Sequence, residues 1–188
     1  MQALIDALYW ICLATWFGAV LFSAVAPPVI IRVIRGADPT LPRVLSVNLD
    51  HQHSTLLAGS VIAELLQLLF RIEAACAAAF LPVLVAKWFT IERSGPHLFV
   101  PLIVTALYVI GTAFLLYGWR VVWPKVMLHR DTYIDNADDV DKANAELDLF
   151  DRYSGETASI VRNLLAIVLG MILFSAALVP HVAMTQIQ

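Results

Sequence analysis

The segment "LFVPLIVTALYVIGTAFLLYGWRVV" (Leu98–Val122) decides the fold class, because it holds no charged side chain before Arg120. A helix of about 20 apolar residues crosses the roughly 30 Å hydrocarbon layer of a bilayer. Three further segments, at residues 4–34, 56–89 and 159–180, are long and apolar enough to do the same. Since backbone groups in lipid must be hydrogen-bonded internally, each segment is expected to be a helix.

The composition of the whole chain supports a membrane protein. Of its 188 residues, 60% are hydrophobic and 14% are charged, whereas soluble domains have about 45–50% and 25%. The sequence therefore predicts a single all-α domain, an integral membrane four-helix bundle with spans at about 7–30, 68–88, 98–120 and 159–180. Helices 1 and 2 are expected to exceed the span and to project on the cytoplasmic side. The net charge of -3 argues against nucleic acid as a partner, because binding it would need a basic surface.

The distribution of Lys and Arg predicts the orientation. Positive side chains concentrate in the connections after helix 1 and helix 3, at Arg32, Arg35, Arg43, Arg120, Lys125, Arg130, Lys142 and Arg152. The second connection has only Lys87 and Arg93, and the termini have none. Because cytoplasmic loops carry an excess of Lys and Arg, we expect both termini outside the cytoplasm. The expected location is a cell membrane, and specifically a bacterial inner membrane.

The connection at about 124–147 is acidic and contains "RDTYIDNADDVDKANAELD" (Arg130–Asp148). An EF-hand calcium loop needs spaced oxygen ligands and a glycine at its sixth position. This stretch has no glycine, and Asp138 and Asp139 are adjacent. It is expected to be a solvated cytoplasmic loop, followed by an amphipathic lead-in to helix 4 at residues 145–153.

Charged and polar side chains occur inside helix 2, in "IAELLQLLFRIEAAC" (Ile62–Cys76). Helices 3 and 4 bring further polar groups to a similar depth, so a polar layer is expected on the inner side, formed by Glu64, Gln67, Arg71, Glu73, Arg120, Arg162 and Asn163. One interpretation is a structural ion-pair network, with Glu64–Arg162 as the expected pair. The other is a cytoplasm-facing cavity for a ligand or ion.

A proline pair, Pro27–Pro28, lies in helix 1 and frees the carbonyls of Ser23 and Ala24 from helical hydrogen bonds. A packing bend explains it most simply. The alternative is that the freed carbonyls line a cavity.

The clearest potential metal site is "DHQH", which brings Asp50, His51 and His53 together. Side chains two apart on a helix point in nearly opposite directions, so we expect no stoichiometric metal there. No haem or other cofactor is predicted. The GxSxG, HExxH, Walker A and GxGxxG patterns are absent from the sequence, which gives little support to an enzyme.

Three stretches carry a family resemblance: "WFGAVLFSAVAPPVI" (Trp16–Ile30), "GWRVVWPKVML" (Gly118–Leu128) and "FDRYSGETASIVRNLLAIVLG" (Phe150–Gly170). They resemble the transmembrane-protein-205-like family of four-helix membrane proteins, many of them bacterial and of unknown function. The resemblance implies a four-helix bundle and brings no reaction with it. This chain has Ser154 where that family tends to have a histidine, and Thr157 where it tends to have a serine.

Three functions remain open at this point. The first is a structural or accessory subunit, or a scaffold, in contact with the lipid bilayer and with other membrane subunits. The second is a small carrier or binding protein for a metal ion or a hydrophobic cation that uses the inner polar layer. The third is a haem or redox membrane protein.

Overall fold

The regular structure is helical throughout the described residues, which in this computed structural model are 2–37, 53–90, 99–136 and 139–176. Its elements are α1 (Gln2–Ala37), α2 (His53–Thr90), α3 (Phe99–Tyr117), a π-helical segment (Gly118–Val122), α4 (Trp123–Asp135) and α5 (Val140–Ala176). The π-helical segment joins α3 to α4 without a break, so the described residues form four long helices. Each is long and apolar enough to cross a membrane, which confirms the prediction of an all-α chain with four helices that could span a bilayer.

The prolines do not interrupt the helices. Pro27 and Pro28 lie inside α1, and Pro82 lies inside α2. Helices in membrane proteins tolerate proline where neighbouring groups satisfy the freed carbonyls. The expected length of helices 1 and 2 is confirmed, since α1 has 36 residues and α2 has 38.

The prediction that residues 124–147 form a loop is wrong, because the stretch is mainly helical. Residues 123–135 form α4 and residues 140–147 belong to α5, so the two helices form a hairpin around Asn136. The stretch has no glycine and no proline after Pro124, which allows helix to continue through it. Asp139 begins α5 by accepting a hydrogen bond from the Lys142 N–H at 3.3 Å. The same lysine holds the pKa of Asp139 below its ordinary value.

The π-helical segment immediately precedes Trp123 and Pro124. The Trp123 N–H donates to the Gly118 carbonyl, five residues back. Pro124 has no N–H to donate, so the regular α-helical hydrogen-bond pattern is already disturbed at this point. The helix accommodates the proline by widening one turn, and α4 continues beyond it.

Contacts at two levels show that α1 and α2 run antiparallel along a common face. The Lys87 ammonium lies 4.0 Å from the centre of the Tyr9 ring. Trp16 comes seven residues after Tyr9 in α1, and Phe80 comes seven residues before Lys87 in α2. The rings of Trp16 and Phe80 also pack on each other, with centroids 6.4 Å apart. All the rings named are almost fully buried, and they form the centre of the core.

Two glycines bring α3 and the π-helical segment close to α5. A Cβ atom at Gly111 would lie 3.2 Å from Ile167, and one at Gly118 would lie 3.1 Å from Ile160. Small residues allow such close approach between helices in membranes.

Candidate functional site

Glu73 is the one acidic side chain that is fully buried in the described part of the chain, with 0% of its surface exposed. It lies near the middle of α2, on the face that also buries Leu66, Ala77 and Phe80. These residues are spaced at four and seven, so helical periodicity places them together. An ionisable side chain at this depth in a membrane helix is costly to bury, and such groups are commonly functional.

The hydrogen bonds of Glu73 indicate its protonation state. Ser23 Oγ lies 2.6 Å from Glu73 Oε1 and 3.0 Å from the Ala19 carbonyl oxygen. A hydroxyl group has one proton, so Ser23 could donate to both acceptors only by sharing that proton in a weaker, three-centre bond. Both contacts are satisfied if Glu73 is a neutral acid that donates to Ser23, while Ser23 donates to Ala19. Glu73 Oε2 has no hydrogen-bond partner among the described residues, which also disfavours a carboxylate.

A cavity of about 550 Å³ begins at Ser23 and opens between α1, α2, α4 and α5. Its walls are mainly apolar, with Trp123, Met127 and Phe150 among the larger side chains. Drug-sized molecules bind in pockets of about 300–1,000 Å³ that are mostly apolar and carry a few polar groups. Glu73 lies directly behind Ser23 and does not itself line the cavity.

The proline pair of α1 forms part of this wall. Ser23, Ala24, Pro27 and Pro28 all line the cavity. The alternative interpretation of the prolines, a wall of freed carbonyls, therefore agrees with their position. Pro27 and Pro28 shape the cavity at the level where α1 leaves the core.

The depth of the cavity follows from the contacts at the opposite end of the helices. Tyr9 and Lys87 lie at one level. Ser23 comes 14 residues after Tyr9 in α1, and Glu73 comes 14 residues before Lys87 in α2. At 1.5 Å per residue, that is about 21 Å. Ala58, at the far end of the cavity, is 29 residues from Lys87, or roughly 43 Å. Measured along the helices, the cavity therefore extends from about 21 Å to roughly 43 Å from the level of Tyr9 and Lys87.

Three charged side chains line the cavity, Arg130, Asp151 and Arg162, and their formal charges sum to +1. The Arg130 guanidinium pairs at 2.9 Å with Asp131, which is not part of the lining. Among the described residues, none of these side chains forms an ion pair with Glu73. An ionised Glu73 would therefore be a buried carboxylate without an ion-pair partner in the described part of the chain.

The ion-pair network predicted for the polar layer is not formed among the described residues. Glu64, Arg71, Arg120, Arg162 and Asn163 are exposed, and Gln67 is half-buried. Glu64 and Arg162, the expected pair, make no ion pair with each other, since α2 directs Glu64 outward. Arg120 instead lies over the Trp119 ring, 4.7 Å from its centre. The structure separates Glu73 from this set and brings it together with Ser23, which was not among the predicted site residues.

Asp50 and His51, which were weighed as possible metal ligands and expected to hold no metal, lie outside the described residues, and so does the side chain of His53. Within the described helices, no group of three or more His, Cys, Asp and Glu side chains has a geometry that could hold a metal ion. Cys12 and Cys76 are free thiols.

Two polar clusters were not predicted. At the end opposite the cavity, Lys87 pairs with Asp6 at 3.4 Å, the Tyr9 hydroxyl is hydrogen-bonded to Ser175, and Trp88 Nε1 donates to Thr105. In the α4–α5 hairpin, His129 contacts Glu146. No sequence signal pairs these residues, because each contact joins different helices.

Comparison with known proteins found no relative of this chain. No family model matches it, no curated protein matches it, and no solved structure matches it. The resemblance to the transmembrane-protein-205-like family therefore stays a prediction from the quoted stretches.

Proposed function

We propose that this is a multi-pass protein of a cell membrane that binds a small apolar or amphiphilic molecule in the cavity between α1, α2, α4 and α5. The observation that carries the proposal is the cavity itself, with a volume of about 550 Å³ and mainly apolar walls. A helix assembly that served only as a scaffold would be expected to fill such a space with side chains, because unfilled volume costs stability.

We further propose that the cavity opens towards the cytoplasm and that both termini lie on the other side, in the bacterial inner membrane. The support is the concentration of Lys and Arg at the cavity end of the helices, where α4 and the start of α5 carry Lys125, Arg130, Lys142 and Arg152. The four helices would then form a bundle whose cytoplasmic end is extended by the α4–α5 hairpin.

Two glycines give a direct test of the binding proposal. Gly59 and Gly155 line the cavity, and a Cβ atom added at either meets no atom within 4 Å. Gly59→Phe and Gly155→Phe should therefore occupy the cavity without disturbing the helices. Gly18 has equally open surroundings but lies outside the cavity, so Gly18→Phe is the matched control.

Binding would be measured with radiolabelled triphenylphosphine oxide, a neutral aromatic probe, using protein in lipid nanodiscs and empty nanodiscs as the blank. The wild type and Gly18→Phe should bind the probe above the blank, and the two cavity-filling variants should bind at least about tenfold more weakly. Equal binding by all four proteins, or no binding above the blank, would overturn the proposal. The accessory-subunit hypothesis would then be the one to pursue.

A further inference from the structure

Rotation of one hydroxyl group connects the buried acid to the cavity. Ser23 lines the cavity and contacts Glu73 at 2.6 Å. As a neutral acid, Glu73 donates to Ser23, and Ser23 donates to Ala19. If Glu73 loses its proton, Ser23 can turn its hydroxyl hydrogen towards the Glu73 carboxylate instead, so the same serine supports both protonation states.

We infer that Glu73 holds a proton in this structure and exchanges it for a monovalent lipophilic cation that enters the cavity. The inference rests on the proposed binding function and names the class of ligand. In the exchange, the O–H bond of Glu73 breaks, the proton leaves through the Ser23 hydroxyl to water in the cavity, and the cation compensates the carboxylate. No electron is transferred and no other co-reactant is needed.

The charge of Glu73 itself makes the exchange one for one. Once ionised, Glu73 carries one buried negative charge that no side chain in the described part of the chain pairs with, and an unpaired charge there is strongly disfavoured. One proton on Glu73, or one monovalent cation beside Ser23, compensates that charge, and an anion cannot.

Among the described residues, no other titratable or charged side chain is placed to compensate an ionised Glu73. On α2 itself, Arg71 is exposed and Cys76 is a free thiol. Cys12 is the thiol that α1 places near Cys76. Arg162 of α5 and Arg130 of α4 line the cavity, and within the described helices neither forms an ion pair with Glu73. Arg120 of the π-helical segment is exposed over Trp119.

The cavity walls suit a cation that is itself apolar. Trp123 and Phe150 present aromatic surface to the cavity, and aromatic faces attract cations, most strongly when the cation is desolvated. A small hydrated metal ion would gain little from these walls. A bulky organic cation can bury its apolar groups there and direct its charge towards Ser23.

The test uses tetraphenylphosphonium as the cation, triphenylphosphine oxide as the neutral probe and tetraphenylborate as the anion. Binding to the wild-type protein in nanodiscs would be measured between pH 5 and 9, a window of about two units on either side of neutrality. If binding of one cation releases one proton, the affinity for the cation should rise about tenfold for each unit by which the pH rises. This dependence should hold up to the pH at which Glu73 loses its proton in the absence of a cation. A pH-sensitive dye in weak buffer should record about one proton released per cation bound.

Glu73→Gln is the decisive variant, since glutamine keeps the size of a neutral acid and cannot ionise. It should weaken tetraphenylphosphonium binding about 30-fold or more, the loss typical of removing one partner of a buried charge pair. It should also abolish proton release and leave triphenylphosphine oxide binding within about twofold of wild type. A ligand-free check is infrared spectroscopy. The carbonyl stretch of a protonated carboxylic acid should appear in the wild-type minus Glu73→Gln difference spectrum at neutral pH.

The outcomes separate the two proposals. If the neutral probe binds and the cavity-filling variants block it, but cation binding releases no proton, the exchange is wrong and the binding site stands. Preferential binding of tetraphenylborate would also overturn the exchange. If neither the cation nor the neutral probe binds above the blank, both proposals fail.

Discussion

The imidazole Nδ1 of His129 and the Glu146 carboxylate lie 2.7 Å apart, and this contact joins α4 to α5. The His129 ring also stacks on Tyr153, with centroids 5.3 Å apart and the planes within 7° of parallel. The Lys125 ammonium lies 5.1 Å from the centre of the same tyrosine ring. These four residues fasten the hairpin that forms one wall of the cavity.

We expect His129 and Glu146 to stabilise the hairpin jointly. His129→Gln and Glu146→Gln should each lower the melting temperature in detergent, and the double variant should lose less than the sum. The pair is partly exposed, at 18% and 25%, so a coupling free energy of about 1 kcal/mol is expected. Strictly additive effects would show that the contact contributes nothing to stability.

The hairpin also shows what the sequence could not provide. Its five aspartates from Asp131 to Asp141 are typical of a solvated segment, which is why composition alone predicts a loop. The segment is indeed rich in exposed side chains, but it is helical because α4 and α5 pack on each other through Val126, Tyr133 and Ala143, which are buried. Such pairing between distant segments leaves little trace in local composition.

The separate position of Glu73, in contrast, could be predicted from the sequence, because helical periodicity distinguishes it from Glu64 and Arg71. Glu64 and Arg71 are seven residues apart and share an exposed face, whereas Glu73 follows Arg71 by two and therefore points to the opposite side. Grouping all three in one polar layer concealed this difference. Its partner Ser23 could not have been found by periodicity alone, since the register between α1 and α2 depends on their packing.

Gly111 should be intolerant of a large side chain. A Cβ atom there already comes within 3.2 Å of Ile167 on α5, so Gly111→Leu must push α3 and α5 apart. Overpacking of this kind costs about 1–3 kcal/mol, and a lower melting temperature should report it. The matched control is Gly18→Leu, whose surroundings are open; a loss as large in the control would mean that glycine itself, and not the close contact, matters.

The proposed orientation can be tested with single cysteines in a background that carries Cys12→Ala and Cys76→Ala. New thiols would be placed near both ends of the chain and in each connection, at Gln2, Ser46, Ser94, Asp138 and Gln188. With the termini outside, a membrane-impermeant thiol reagent should label positions 2, 94 and 188 in intact cells and label 46 and 138 only after lysis. The reverse pattern would invert the topology, and it would turn the cavity away from the cytoplasm.

The stability of Glu73 variants distinguishes a neutral acid from a buried carboxylate without any ligand. If the acid is neutral, Glu73→Gln is nearly isosteric, and its amide can donate to Ser23 in place of the carboxyl proton, so stability should change by less than about 1 kcal/mol. Glu73→Ala removes a fully buried side chain and should cost about 2–4 kcal/mol, as other large-to-small core changes do. Melting temperatures in detergent at neutral pH would compare the two variants with the wild type. If Glu73 were an unpaired carboxylate, Glu73→Gln would remove a strongly unfavourable buried charge and raise the melting temperature markedly, a result that would contradict the neutral acid.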